Sequence, residues 1–340
     1  MKLIKTEEAV GQVLCHDITQ IIKDVTKDAV FRKGHIITEE DIPVLLSVGK
    51  DHIYVWENDE NMMHENEAAE VLCTICKGTN LTRGEVKEGK IELRASCDGV
   101  LKIDREKLKA VNSFGQMMIA TRHGDFPVRK GDKVAGTRII PLVIEKEKMQ
   151  KVQEICGERP ILDVISYGSR KAGIVTTGNE VYYGRIKDTF TPVIVKKLEE
   201  FDVQTAAHKI TNDDSANIEK CIRELIQEGC DLILCTGGMS VDPDDKTPLA
   251  IRNVCGSAVT YGAPVLPGAM FMLAYYGDTN IPVMGLPGCV MYAKRTIFDL
   301  VLPRIMTGEK LCKEDFDRLG EGGLCLNCDI CTFPNCGFGK

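Results

Sequence analysis

The sequence contains no long run of apolar residues. No stretch reaches the roughly 20 residues that a helix needs to cross a bilayer. The N-terminus, MKLIKTEEAVGQVL, carries Glu7 and Glu8 where a signal peptide needs a hydrophobic segment. These absences predict a cytoplasmic protein with no membrane partner.

Positive charge is also scarce. The 340 residues include 43 Lys and Arg against 50 Asp and Glu, which gives a net charge of -7 and a pI near 5.5. A surface for nucleic acid needs clustered basic side chains, so we expect no nucleic-acid partner. An anionic small ligand would need only a local positive potential. Because 44% of the residues are apolar, the chain can build sizeable cores, and its length suits two or three domains.

Cysteine, in contrast, is abundant, with 15 residues. Cys221, Cys230 and Cys235 are typical of small core residues in a reducing compartment, because they lie in apolar-periodic segments. Cys73 and Cys76 form an isolated CxxC motif. Without a partner motif, it indicates a helix surface or core more than a redox or metal site.

Four cysteines form a separate group near the C-terminus: Cys325, Cys328, Cys331 and Cys336. No periodic apolar pattern surrounds them, so we predict that they bind a metal. CxxCxxC near a proline resembles iron–sulfur ligation, although the last gap is four residues where bacterial ferredoxins have three. A zinc site of four thiolates also accepts this spacing, and a disordered, redox-reactive tail is the remaining alternative.

The pattern of the chain predicts four regions. Residues 1–60 form a small mixed α/β segment, and residues 61–150 form an acidic linker followed by a β-rich domain. Residues 165–310 form an α/β domain, and residues 311–340 form a Cys-rich metal-binding tail. Strand and helix patterns alternate from about residue 170 to 308, which predicts a parallel, doubly wound sheet. Such sheets bind ligands beyond the carboxyl ends of their strands.

One stretch, LILCTGGMSVDPDDKTP at Leu232–Pro248, is typical of a buried parallel strand followed by a ligand-binding loop at its carboxyl end. Gly237 and Gly238 let backbone N–H groups approach an anion. A helix is predicted to start near Thr247, with Asp244 or Asp245 as its cap and Pro248 in its first turn, and its N-terminus would add to the anion site. Asp244 and Asp245 stand side by side here. Adjacent carboxylates beside an anion site indicate a bound cation or a proton transfer.

Further acidic residues are predicted at the same edge. Asp214 is expected to cap the next helix, whereas Asp213 lies at the strand end, where it can act on a ligand. Glu180 and Asp188 each have two interpretations, as ligand contacts or as helix caps. Converging carboxylates would repel a phosphate unless a divalent metal bridges them, which is the pattern of Mg²⁺. The family resemblance described next implies Asp213 and Asp245 as the residues associated with this metal.

Five motifs in order then carry a resemblance: TTGNEVYYGRIKDT, Asn212-Asp213, LCTGGMSVDPDDKTP, APVLPG and GLPG. Together they resemble the molybdopterin-binding domain of the MoaB/Mog type, as arranged in MoeA-type molybdopterin molybdenumtransferases. The resemblance implies a three-layer α/β domain with Asp213, Asp245 and Glu180 as catalytic residues. The predicted ligand-binding residues are Thr177, Gly178, Asp188, Thr236, Gly237, Gly238, Ser240, Thr247, Pro267, Gly268, Pro287 and Gly288.

The resemblance implies a role in molybdenum cofactor synthesis, with molybdopterin or adenylyl-molybdopterin, Mg²⁺ and molybdate as ligands. Other cofactor-synthesis proteins or a molybdoenzyme would be partners, and relatives of this type form homo-oligomers. Leu266 replaces the family's lysine, and Cys289 and Val290 stand where Asn and Pro are usual. These departures favour a second hypothesis, a non-catalytic cofactor carrier or sensor that reports through the cysteine cluster. The acidic PDDKT also resembles CinA-like nucleotide pyrophosphatases, which is a third hypothesis.

Overall fold

The computed structural model describes residues 1–22, 26–56 and 59–340. The predicted acidic linker at Glu57–Glu70 therefore begins outside the described residues. The chain divides into two compact units. Unit 1 comprises Met1–Ser96, Ile103–Arg122 and Gly131–Asp163, and unit 2 comprises Cys97–Lys102, His123–Lys130 and Val164–Lys340.

The strands and helices follow one another along both units. The strands are β1 (Lys2–Lys5), β2 (Ile18–Ile22), β3 (Thr26–Phe31), β4 (His52–Val55), β5 (Met62–His64), β6 (Leu81–Arg83), β7 (Lys90–Ala95), β8 (Gly99–Ile103), β9 (Met117–Thr121), β10 (Phe126–Val128), β11 (Lys133–Ile139), β12 (Val143–Glu145), β13 (Leu162–Ser166), β14 (Lys171–Thr177), β15 (Gln204–Thr211), β16 (Leu232–Thr236), β17 (Ala258–Tyr261), β18 (Met272–Tyr275) and β19 (Pro282–Leu286). The helices are α1 (Asp41–Ser47), α2 (Glu65–Cys76), α3 (Arg105–Ser113), α4 (Lys146–Cys156), α5 (Asn179–Tyr182), α6 (Thr191–Glu199), α7 (Ser215–Gln227), α8 (Thr247–Cys255), α9 (Ile297–Met306) and α10 (Lys313–Asp317).

Unit 1 is built on short antiparallel strands. Its largest sheet has the order β6-β7-β11-β9 and alternates buried with exposed side chains, as a sheet with one solvated face does. Helix α2 packs on this sheet and on α4. Ala68 and Ala69 of α2 are fully buried, as is Leu93 of β7, so residues 65–70 of the acidic stretch predicted as a linker belong to a helix that packs in the core.

Unit 2 is a three-layer α/β domain, which confirms the predicted fold class. Its six-stranded sheet has the order β15-β14-β16-β19-β18-β17. The first four strands are parallel, while β18 and β17 pair antiparallel, so the sheet is mixed at one end. Strands β16 and β19 are buried along their whole length, as expected for strands covered on both faces.

Separate helices cover the two faces of this sheet. Ile194 of α6 and Phe298 of α9 lie in the core on one face, and Ile222 of α7 and Ile251 of α8 lie in the core on the other. Helix α9 begins at Ile297, where Thr296 and Asp299 form a reciprocal capping box. In the described part of the chain, no helix is long and apolar enough to cross a bilayer.

Candidate functional site

The candidate site lies at the carboxyl edge of the parallel strands. Thr177 of β14 pairs with Thr211 of β15, and Thr236 of β16 pairs with Leu286 of β19. Since parallel strands in register end at one edge, the turns that follow them meet there. The loop before Met272 reaches this edge as well, because β18 runs antiparallel to β19 and its first residue pairs with Gly285.

Three other carboxylates lie close enough to Asp213 for their charges to affect it. The Asp213 Oδ2 accepts a hydrogen bond from the Asn179 backbone N–H, with an N–O distance of 2.9 Å. Burial raises the pKa of Asp213; the Asn179 N–H opposes this shift, and the nearby charges of Glu180, Asp245 and Asp244 add to it. The turn after β14, the end of β15 and the loop after β16 thus bring negative charge to one place.

The Thr236-Gly237-Gly238 turn is fixed against the turn after β14. Gly237 has a φ of +85°, and a Cβ built on it would lie 2.3 Å from the carbonyl oxygen of Thr177. Gly238 has a φ of +57°, and its Cβ would lie 2.8 Å from the Thr247 Oγ1. The Thr247 hydroxyl donates to the Gly237 carbonyl oxygen at 2.9 Å. Only glycine fits both positions, so the two glycines are structural requirements of this edge.

The loop from Ser240 to Lys246 is held by its own aspartates. The Asp245 Oδ2 accepts a hydrogen bond of 2.6 Å from the Ser240 N–H. The Asp242 carbonyl oxygen accepts from the Asp245 N–H at 3.0 Å. Pro248 lies in the first turn of α8, as the sequence predicts, but no side chain caps this helix at Lys246, so neither Asp244 nor Asp245 is its cap. The N–H groups of its first turn can therefore serve an anion.

Asp188 acts as a helix-capping group. Its Oδ1 accepts from the N–H groups of Phe190 (2.9 Å) and Thr191 (3.1 Å). Its Oδ2 accepts from the Thr191 hydroxyl at 2.6 Å. Burial alone would raise the pKa of Asp188, but these hydrogen bonds hold it below its ordinary value. Both oxygens are in use, so the capping interpretation of Asp188 accounts for its contacts, and ligand binding stays a prediction.

Sequence reasoning missed a polar network beside Asp188. The Thr176 Oγ1 lies 2.9 Å from the His208 Nε2, and it accepts a hydrogen bond from the buried Thr236 hydroxyl at 3.3 Å. His208 Nε2 is also 3.6 Å from the Asp188 Oδ2. The alternation along β15 gave no signal for this network, because it places His208 among the more exposed positions of the strand.

Two proline-glycine turns complete the edge. Pro287 and Gly288 directly follow β19, and the Pro287 carbonyl oxygen accepts from the Val290 N–H at 3.0 Å. Pro267 follows a cis peptide bond and accepts from the Ile297 N–H at 3.3 Å. Gly268 has a φ of +131°, and a Cβ there would lie 2.5 Å from the Ile297 Cγ2. Both predicted loops therefore reach the edge where β14, β15 and β16 end.

The cysteines occupy two kinds of environment. Cys73 and Cys76 are 2% and 0% exposed in α2, and burial raises the pKa of both thiols. This favours the core interpretation of the CxxC motif. The four tail cysteines instead line one cavity of unit 2. Across residues 1–22, 26–56 and 59–340, no three His, Cys, Asp or Glu side chains are grouped closely enough to hold a metal ion, so the Mg²⁺ and cysteine sites stay predictions.

Replacing Asp213 by asparagine is expected to stabilise the fold at neutral pH. Because the native pKa of Asp213 is raised, the folded state binds more protons than the unfolded state between the ordinary and the native pKa. The free energy of unfolding therefore falls as the pH rises through that window, and the charged carboxylate is unfavourable above it. Urea unfolding at neutral and acidic pH measures this: the gain from Asp213→Asn should disappear below the ordinary pKa.

Asp214 provides the control for this prediction. Its Oδ1 caps α7 by accepting from the N–H groups of Ala216 (2.9 Å) and Asn217 (3.2 Å). Asp214→Asn should lower stability slightly at neutral pH, because it removes a negative charge at a helix N-terminus. A loss of stability in Asp213→Asn at neutral pH would contradict the assigned electrostatics.

Two family models match the chain. Residues 3–57 match a model described as "Domain of unknown function (DUF8806)", and residues 173–307 match one described as "Probable molybdopterin binding domain". A CinA-like protein of Mycobacterium sp. (strain MCS) is 42% identical over 88 residues, which are 26% of this chain and 21% of that protein. A CinA-like protein of Mycobacterium avium (strain 104) is 38% identical over 97 residues, 28% of this chain and 22% of that protein. The chain thus spans about a fifth of the length of these relatives.

Solved structures give fold similarities of low score. The molybdopterin biosynthesis enzyme MoaB of Thermus thermophilus has a TM-score of 0.35 and 23% identity, covering 41% of this chain and 98% of that one. A molybdenum cofactor biosynthesis protein of Pyrococcus furiosus has a TM-score of 0.28 and 14% identity, covering 90% of this chain and 63% of that one. Residues 173–307 are thus similar to a probable molybdopterin-binding domain.

Proposed function

We propose that unit 2 binds molybdopterin or adenylyl-molybdopterin at the carboxyl edge of its sheet and acts in molybdenum cofactor synthesis. One observation carries the proposal: the Asp213 carboxylate lies among the charges of Glu180, Asp244 and Asp245 at a glycine turn suited to phosphate. The family match of residues 173–307 supplies the ligand class. The backbone N–H groups of Gly237 and Gly238 and the first turn of α8 would bind the phosphate end.

The acidic residues fit a hard divalent cation. Mg²⁺ binds through one or two carboxylates and keeps several waters, so it does not need a closed cage of protein ligands. The pKa of Asp213 is raised in part by uncompensated neighbouring charge, which a cation would neutralise. Asp213 and Asp245 would hold Mg²⁺, and the ion would supply charge neutralisation for the pyrophosphate when bound. Glu180, on the adjoining turn, would orient the ligand or water.

The proposed chemistry is hydrolysis of the pyrophosphate bond of adenylyl-molybdopterin. Water adds to one phosphorus, AMP leaves, and the pterin keeps its terminal phosphate, while its dithiolene sulfurs replace oxygens of molybdate that leave as water. The pyrophosphate bond would lie over the glycine turn, where the backbone N–H groups stabilise developing charge on the phosphate oxygens. Molybdate is a substrate here. The first-choice activity is therefore molybdotransferase-like, in keeping with the order of motifs along residues 170–308.

A second candidate has its own support. The curated relatives of 38–42% identity are named CinA-like. The match covers 26–28% of this chain and 21–22% of those proteins. A nucleotide pyrophosphatase would use the same carboxylates and Mg²⁺ but would not need the pterin. A non-catalytic carrier would bind the pterin without breaking the pyrophosphate bond.

One set of assays separates the three functions. The full chain is incubated with adenylyl-molybdopterin and Mg²⁺, with and without molybdate, and with ADP-ribose as a nucleotide pyrophosphate that lacks the pterin. AMP release that requires the pterin and is increased by molybdate supports the molybdotransferase-like activity. Equal cleavage of both pyrophosphates supports the pyrophosphatase, and tight binding without release supports the carrier. Failure to bind either pterin form would overturn the proposal.

A further inference from the structure

The four C-terminal cysteines surround one cavity of about 210 Å³ in unit 2. Cys328 and Cys331 are exposed, and Cys325 and Cys336 are half-buried. The cavity differs chemically from the acidic edge. Its walls combine thiols with apolar side chains and two basic residues. Leu324, Leu326, Phe333 and Phe338 supply the apolar walls.

The C-terminal segment, residues 322–340, is folded although it contains neither helix nor strand. Phe338 is only 4% exposed, and Phe333, Cys325 and Cys336 pack against the same core. The Cys325 N–H donates to the Leu266 carbonyl oxygen at 2.8 Å. Near the other end, the Gly339 N–H donates to the Gly322 carbonyl oxygen at 2.8 Å. The disordered-tail hypothesis therefore loses its support, because the segment is held at both ends and its cysteines lie in a defined place.

Two basic side chains line the same cavity as the four cysteines, whose thiolates would carry negative charge. Lys294 and Arg295 line the cavity. The Lys294 Nζ donates to the carbonyl oxygens of Cys328 (3.1 Å) and Asp329 (2.8 Å), so it holds the exposed part of the loop. The Arg295 guanidinium lies over the Phe333 ring, 5.1 Å from its centroid. None of the described residues that line the cavity is acidic. Arg295 already pairs with Asp299 (2.8 Å) and Glu200 (3.3 Å), so the favourable charge for the four thiolates comes mainly from Lys294.

The arrangement distinguishes a cluster from a single ion. Around one Zn²⁺, four sulfurs must converge to about 2.3 Å from a single point. The tail cysteines instead surround a cavity of about 210 Å³, which is more room than a single ion takes. In a [4Fe–4S] cluster each thiolate binds a different iron, so the sulfurs stay spread around the cluster. An apolar wall also limits solvent access, which tunes such centres.

We propose that Cys325, Cys328, Cys331 and Cys336 bind one [4Fe–4S] cluster in this cavity. Assembly from two ferric, two ferrous and four sulfide ions forms four iron–thiolate bonds and releases four thiol protons. This inference does not depend on the ligand of the acidic edge.

The test uses the full chain under anaerobic conditions, incubated with sulfide and with equal amounts of ferric and ferrous iron, which together supply the oxidation states of a [4Fe–4S]²⁺ cluster. We expect broad visible charge-transfer absorption, with iron and sulfide bound in the equal amounts that a [4Fe–4S] cluster requires. Cys328→Ser and Cys331→Ser should each lower bound iron at least about tenfold, as loss of a ligand does. Cys312→Ser is the matched control: Cys312 is an exposed thiol outside the cavity, and serine keeps a side-chain acceptor at the start of α10.

A second measurement keeps the test independent of variant folding. In the reconstituted wild-type chain, the four cavity cysteines should be protected from an alkylating reagent, as mapped by mass spectrometry, while Cys312 stays reactive. Equal alkylation of the cavity cysteines with and without iron and sulfide would overturn the proposal. Binding of one zinc per chain with no cluster assembly would overturn it in favour of a zinc site.

Discussion

Replacing Asp245 by asparagine is expected to lower Mg²⁺-dependent AMP release at least about 100-fold, the size of effect seen when a transition-state electrostatic partner is lost. Asparagine keeps an oxygen that can accept the hydrogen bond from the Ser240 N–H, now 2.6 Å from the carboxylate. The loop should therefore keep its shape while the charge disappears. The rate is measured as AMP formation at increasing Mg²⁺ concentrations, and the variant should no longer respond to the metal.

Asp242→Asn is the control for this result. It makes the same charge change in the same loop, but Asp242 is not among the charges that raise the pKa of Asp213. Its own contribution to the loop is a hydrogen bond from the Asp244 N–H, at 3.2 Å, which asparagine can keep. Equal loss of activity in both variants would point to loop disruption, and an unchanged rate in Asp245→Asn would remove Asp245 from the mechanism. If the chain only binds its ligand, the same loss should appear in the Mg²⁺ dependence of ligand affinity.

The layered fold could be predicted because its signals are local. Strands β14 and β16 are continuous apolar runs that end in Thr-Gly, and α7 begins at an aspartate that caps it. Parallel strands that alternate with helices have few allowed arrangements, so the edge that gathers their turns follows from the order of elements alone. This is why Asp213 and Asp245, far apart in sequence, could be predicted to lie together.

Other features depend on contacts that the sequence does not reveal. The antiparallel direction of β18 follows from its pairing with β19, and a short buried strand carries the same apolar pattern in either direction. Asp188 and Asp245 are chemically alike, but they accept different hydrogen bonds. Asp188 accepts from the Thr191 N–H at the start of α6, whereas Asp245 accepts from the Ser240 N–H in its own loop. Such assignments are decided by side-chain rotamers and neighbours in space. Likewise, the spacing of the tail cysteines predicted a metal site but not the anchoring of the segment through Leu266.

Gly237→Ala is expected to lower the free energy of unfolding by about 2–4 kcal/mol and to remove ligand binding. Any non-glycine residue at a φ of +85° costs about 1 kcal/mol. The added Cβ would also lie 2.3 Å from the Thr177 carbonyl oxygen, and this oxygen belongs to a backbone that no side-chain rotation can move. Relief of such an overlap adds about 1–3 kcal/mol. The shift would move the N–H groups proposed to bind phosphate.

Gly256→Ala separates the backbone cost of a positive φ from the cost of the steric overlap in the loss of unfolding free energy. Gly256 follows α8 with the same φ of +85°, and none of the described atoms lies within 4 Å of the position that its Cβ would take. Urea unfolding should therefore show a loss of only about 1 kcal/mol, with ligand binding retained. The difference between the two variants measures the close approach of the β14 and β16 turns. A loss in Gly237→Ala no larger than that in Gly256→Ala would mean that the two turns are not held together, and the shared edge on which the proposed site depends would fail with them.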